Sequence, residues 1–174
     1  MHVLIMLVEP DVPSGAFLDA LRGIGCDVSV PSTLEEALTL SAGAAQRGLA
    51  LIGVGNRCAW AMLLAARYPV EKLVLIGCPA RVRLGVRACP GMRRAMRRLF
   101  AIVADLLIIQ PGLDSDVRTG AAQAVLRGVS SQRAEARILP GASFPDLWTN
   151  CKHALIEAVL HFLAAPSPSN SLAK

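Results

Sequence analysis

Several features that would assign this chain to a function class at once are missing from it. No apolar stretch among its 174 residues is long enough for a bilayer-spanning helix, which takes about 20 residues. The apolar run Val3–Val8 has no basic segment before it and meets Glu9 and Asp11 directly after it. It reads as a first strand rather than a signal peptide. The five cysteines are odd in number and show no paired-motif spacing, which fits free thiols in a reducing cytoplasm. The three histidines, His2, His153 and His161, cannot be combined with cysteines at these spacings into a metal cluster. Neither a metal nor a cofactor is expected. No internal repeat and no second domain are visible.

What the chain has is apolar content: 53% of residues are hydrophobic and the mean hydropathy is +0.48. That is the composition of a parallel sheet covered on both faces. Residues 1–164 are expected to form one domain, and Ala165-Pro-Ser-Pro-Ser-Asn-Ser opens a tail, 165–174, disordered on composition. The stretch Leu49–Ala80 organises the rest. Leu49–Val54 is a short apolar run closed by Gly53 and Gly55. From Asn56 the period changes, with Ala59, Met62, Leu63 and Ala66 at helical spacing until Pro69, and Lys72–Gly77 is the next strand. A strand–helix–strand of this length is a right-handed parallel crossover, so the fold class is α/β.

The same reading assigns the remaining elements. A helix opens at Pro13 or Ser14 with Phe17, Leu18 and Leu21 inward, and Asp27–Val30 is a short strand. Ser32-Thr-Leu-Glu35 forms a capping box for a second helix. Asp105–Gln110 is a fifth strand, Thr119–Leu126 a helix and Glu135–Leu139 a sixth strand. The last helix starts near Pro145 or Asp146, with Leu147, Cys151, Ala154, Leu155, Ala158, Val159 and Phe162 on one face.

Residues 51–80, LIGVGNRCAWAMLLAARYPVEKLVLIGCPA, resemble the nucleophile-elbow segment of the α/β-hydrolases, carboxylesterase-like in layout. Ala104–Asp116 resembles the strand and loop that deliver that family's triad acid, and Ala136–Pro145 its last strand and histidine loop. The resemblance implies a minimal member: a doubly wound, three-layer parallel sheet of six strands in the order 2-1-3-4-5-6. It also implies a triad, and here the chain departs from the pattern. G-x-S-x-G is replaced by Gly53-Val-Gly55-Asn-Arg57, so the nucleophile position is Gly55. The acid position falls on Asp114, with Asp116 as a fallback, and the base position on Ser143. The oxyanion amides would be those of Val8 and Asn56, but Leu7-Val-Glu-Pro10 lacks the family's His-Gly, and Pro10 has no amide to donate. Ser-His-Asp chemistry requires the hydroxyl and imidazole missing here.

Other residues offer partial substitutes. Cys58 lies one turn beyond Gly55, where a helix N-terminus and Arg57 would acidify a thiol, although no histidine is placed to act as its base. Gly53-x-Gly55-x-x-Cys58 half-matches a dinucleotide fingerprint without its third glycine or the acid after the next strand. The opening, with Glu9 and Asp11, also resembles a response-regulator receiver domain. The third strand ends without that family's acceptor Asp, however, and a receiver has five strands.

Between the fourth and fifth strands lies a short basic insertion, 81–104, at the place of the hydrolase cap. Arg81, Arg83, Arg87, Arg93, Arg94, Arg97 and Arg98 occur there with no acidic residue, against a net charge of +5 for the whole chain. Met92, Met96, Leu99 and Val103 recur on one helical face, to pack near Gly55 as a shortened cap with the arginines outward. The plain reading is a solvated helix face. The functional one is a patch of Arg93, Arg94, Arg97 and Arg98 for an anionic partner. Nucleic acid is the least supported partner, because Phe100 is the patch's one aromatic. The expected protein is thus cytoplasmic, impaired as a serine hydrolase, and binds a small molecule or a protein partner. An unconventional hydrolase using Cys58 and a receiver-like regulatory domain are the alternatives.

Overall fold

The computed structural model describes residues 1–6, 15–78, 91–113 and 119–166. Its strands are β1 (His2–Met6), β2 (Asp27–Ser29), β3 (Leu49–Val54), β4 (Lys72–Ile76), β5 (Asp105–Pro111) and β6 (Ala134–Leu139). All pair in parallel, in the order β2-β1-β3-β4-β5-β6. The sixth strand and this order fit the minimal α/β-hydrolase layout and leave the five-strand receiver reading without support.

The helices are α1 (Gly15–Gly23), α2 (Leu34–Ala44), α3 (Cys58–Ala65), α4 (Met92–Met96), α5 (Thr119–Gly128) and α6 (Lys152–Ala164). Alternate strand residues sort them into two layers. Val3, Ile5, Ile52, Val74 and Leu107 face a core closed by Phe17 and Leu21 of α1 and by Leu155, Val159 and Phe162 of α6. Leu4, Leu51, Leu73, Leu106 and Ile108 face α2, α3, α4 and α5. Strands β3, β4 and β5 are buried along their whole length, and Leu49–Val54, Leu73–Ile76 and Leu106–Ile109 within them read as unbroken apolar runs. At the edge, β6 alternates exposed and half-buried residues.

Three local expectations are corrected. The N-cap of α2 is Thr33, not Ser32: Thr33 Oγ1 accepts from the amide of Glu36, while Ser32 donates its amide and hydroxyl to the Glu36 carboxylate. The box is shifted one residue, and the bond from the Ser32 amide holds the Glu36 carboxyl below its usual range. The last helix begins at Lys152; Pro145–Trp148 is a separate 3-10 turn. The break falls at Thr149, whose φ of −117° and ψ of −84° leave the helical region. Ala154 is consequently exposed rather than inward. Of the four residues expected to face inward from the basic segment, Met92 and Leu99 are buried and Met96 half-buried, but Val103 is exposed.

The amino edge of the sheet carries an uncommon buried cation. Lys72, 3% exposed, donates from Nζ to the carbonyl of Phe162 at 2.8 Å and to that of Ala165. It thereby satisfies carbonyls that α6 leaves open at its C-terminus and places a positive charge at the negative end of the helix dipole. Burial is the main cause lowering its pKa, partly offset by Asp105. Lys72→Met keeps the apolar stem and removes both bonds. It should cost about 2 kcal/mol in chemical denaturation, the penalty of leaving buried acceptors unmet. A change within error would mean that water replaces the ammonium.

Candidate active site

Strand β3 ends in an elbow. Gly55 has φ +53° and starts a 3-10 turn, Gly55–Arg57, that passes directly into α3. A side chain there would be strained, and in a serine hydrolase that strain presents the nucleophile. Gly53 explains how the helix reaches the strand so closely: a Cβ there would lie 2.8 Å from both Cα of Cys58 and Cβ of Ala61. Arg57 closes the turn by stacking its guanidinium 3.3 Å from the Trp60 ring centre, a cation–π contact within the first turn of α3.

Cys58 does not face solvent. It is fully buried, with Sγ donating to the carbonyl of Gly53 at 3.2 Å and lying 3.7 Å from that of Ile76. The fallback nucleophile therefore packs between β3 and β4. The histidines lie elsewhere. His2 opens β1 at the opposite edge and pairs with Asp27 at 2.8 Å, and His153 and His161 are exposed on α6.

The loop after β6 was expected to bring Ser143 to the base position. Instead both polar groups of Ser143 turn to Asp146: its amide donates to Oδ2 at 2.8 Å and its hydroxyl at 2.5 Å. Bonding from the Ser143 hydroxyl, more than any other cause, holds the Asp146 carboxyl below its ordinary range. Asn150 donates to the other oxygen at 2.9 Å. The residue that faces Gly55 is the next one, Phe144. A Cβ on Gly55 would touch its Cζ at 3.5 Å, and a Cβ on Gly77 would overlap the ring. Gly77 follows β4 with φ +60°, so both neighbouring strand ends are glycine where the ring lies. Trp148 packs edge-on to Phe144 at 6.5 Å between centroids, and Phe17 of α1 packs edge-on to Trp148 at 5.8 Å.

Sequence reasoning missed Phe144, Gly77 and Trp148. A large aromatic in a loop otherwise built of Gly141, Ala142, Ser143 and Pro145 was the available signal. Gln110 Oε1 and Trp148 Nε1 are buried at this end without a hydrogen-bond partner among the described residues; Gln110 donates from Nε2 to the carbonyl of Cys78 at 3.0 Å. Asn56 is exposed. Val8, Asp114 and Asp116 lie outside the described residues, as do Arg81, Arg83 and Arg87. Among the described residues no three His, Cys, Asp or Glu side chains gather as a metal site, and no helix is long and apolar enough to cross a membrane.

Solved structures share this fold over most of the chain. A metagenome-derived lipolytic enzyme of the LipS and LipT pair superposes with a TM-score of 0.71 at 15% identity, over 92% of each chain. The esterase domain of a Rhodothermus marinus protein gives 0.71 at 16% identity, over 93% of this chain and 84% of that one. The Paleococcus ferrophilus monoacylglycerol lipase gives 0.66 at 13%, over 92% and 94%. No protein-family model matches the sequence, and no curated protein matches it. The chain has the α/β-hydrolase fold; at these identities the likeness is one of fold.

Proposed function

We propose that this chain is a non-catalytic protein on the α/β-hydrolase fold, binding a small molecule or a protein partner at the carboxyl edge of its sheet. The observation that carries this reading is the Phe144 ring lying against Gly55 and Gly77. A phenyl group occupies the space where an imidazole would meet a hydroxyl, and among the described residues no neighbour supplies either group. Buried Cys58 and the engagement of Ser143 by Asp146 support it further. Gln110 Oε1 and Trp148 Nε1 offer an acceptor and a donor at the same end.

The test is hydrolysis of short p-nitrophenyl esters. Turnover should stay at the background of the ester in buffer, because loss of triad members costs several orders of magnitude. Saturable turnover by the unmodified protein, abolished by Cys58→Ala, would overturn the reading in favour of the thiol mechanism.

A further inference from the structure

The strip from Arg93 to Val103 has a fixed inner side and an unusual outer one. Met92, Ala95, Leu99 and Ile102 are buried, joining the core beneath α3 and α5. Ser130, just beyond α5, donates its hydroxyl to the Phe100 carbonyl at 2.8 Å and its amide to the Ile102 carbonyl at 3.0 Å. The backbone is thus anchored, and what it turns outward is set. Arg93, Arg94, Arg97 and Arg98 are all exposed and make no ion pair among the described residues. Arg127, also exposed, stands in the last turn of α5, next to the Gly128 that backs onto Leu99. Among the described residues the carboxylates at the start of β4 and β5 are Asp105, which is buried, and Glu71, which is exposed.

On the same strip, directly after these arginines, stand Phe100 and Val103, 71% and 68% exposed, the two most exposed large apolar side chains described. Scattered apolar residues on a surface need no explanation, but these two share one short strip with four unpaired arginines. That pairing of charge with protruding apolar groups is what an anionic membrane surface recognises. Charge brings the protein to the headgroups, and the apolar tips gain by leaving water. A nucleic acid would use the arginines but would leave Val103 without a role and find a single aromatic for stacking.

We propose that the strip Arg93–Val103 docks this protein on an anionic phospholipid surface, with the arginines over the headgroups and Phe100 and Val103 entering among them. This surface is distinct from the Phe144 site and needs no activity there.

The experiment is co-sedimentation with vesicles of phosphatidylcholine alone and of phosphatidylcholine with phosphatidylserine. Binding should occur to the second only, and should weaken as salt shortens the screening length below about 8 Å. Each arginine near the surface contributes roughly fivefold to partitioning, so R93Q/R94Q/R97Q/R98Q should lose well over tenfold. F100S/V103S should lose roughly tenfold by removing the apolar contribution. Both variants alter exposed side chains, and unchanged circular dichroism would show that they fold. Arg97→Gln and Phe100→Ser singly carry the same comparison should a multiple variant melt early. Equal binding to neutral vesicles, no vesicle binding, or full retention by either variant would overturn the proposal. So would tighter binding to a single-stranded oligonucleotide or to an acidic polypeptide than to the anionic vesicles.

Discussion

Gly55→Ser combined with Phe144→His should hydrolyse p-nitrophenyl acetate at least tenfold faster than Gly55→Ser combined with Ser143→His. The argument rests on which loop residue faces the elbow. A Cβ on Gly55 meets the Phe144 ring at 3.5 Å, an ordinary contact, so a hydroxyl and an imidazole placed at these two positions would be neighbours. At position 143 an imidazole would replace a side chain that points to Asp146, and Phe144 would still cover Gly55. A positioned general base contributes about 10²–10⁴-fold, so a tenfold advantage allows for imperfect alignment and for the oxyanion loop that remains unrestored. Placing serine at φ +53° costs about 1–2 kcal/mol, which the elbow of a working hydrolase also bears. The gain should rise with pH through about 6.5 as the imidazole loses its proton and becomes a base. Equal rates for the two variants would show that Phe144 does not hold the base position.

The second large effect is on stability. Gly53→Val should lower the unfolding free energy by about 3 kcal/mol or more, the upper range for overpacking a close-packed site. The new Cβ would sit 2.8 Å from the Cα of Cys58, and that atom is backbone, which cannot swing aside as a side-chain tip can. Relief would require moving the start of α3 away from β3, which would break the Cys58 bond to the Gly53 carbonyl and open the core around Ala61 and Met62. For a chain of this size that corresponds to a fall in Tm of roughly 6–12 °C. Thermal denaturation followed by circular dichroism measures it, and an unchanged Tm would mean that the elbow is looser than its contacts imply.

The positions of the central strands were written in the residues because burial on both faces leaves a local signature, whereas their order followed from the family resemblance. Leu49–Val54 and Leu106–Ile109 are apolar without alternation, and each is buried throughout. The glycine at position 55 was equally legible, and it offers no side chain in any fold. Helix starts were read less well. Ser32 and Thr33 can each cap, and only the reach of the Glu36 carboxylate decides between them. Pro145-Asp146 looks like a helix opening, yet Asp146 is occupied by Ser143 and Asn150.

What tertiary structure alone decided is the content of the site. Whether Ser143 or Phe144 meets Gly55 turns on one residue of phase in a loop, and hydrophobic periodicity carries no information there. The phase is set by contacts between distant segments: the Phe144 ring on Gly77, Trp148 against Phe17, and two strand ends held side by side by the β3–β4 register. The exposure of Val103 was decided in the same way. Helical spacing put it inward with Leu99, but the chain leaves the helix before it, and Ile102 takes the buried position. Sequence specified which groups the chain possesses, because composition is local; packing between remote segments determined which of them meet.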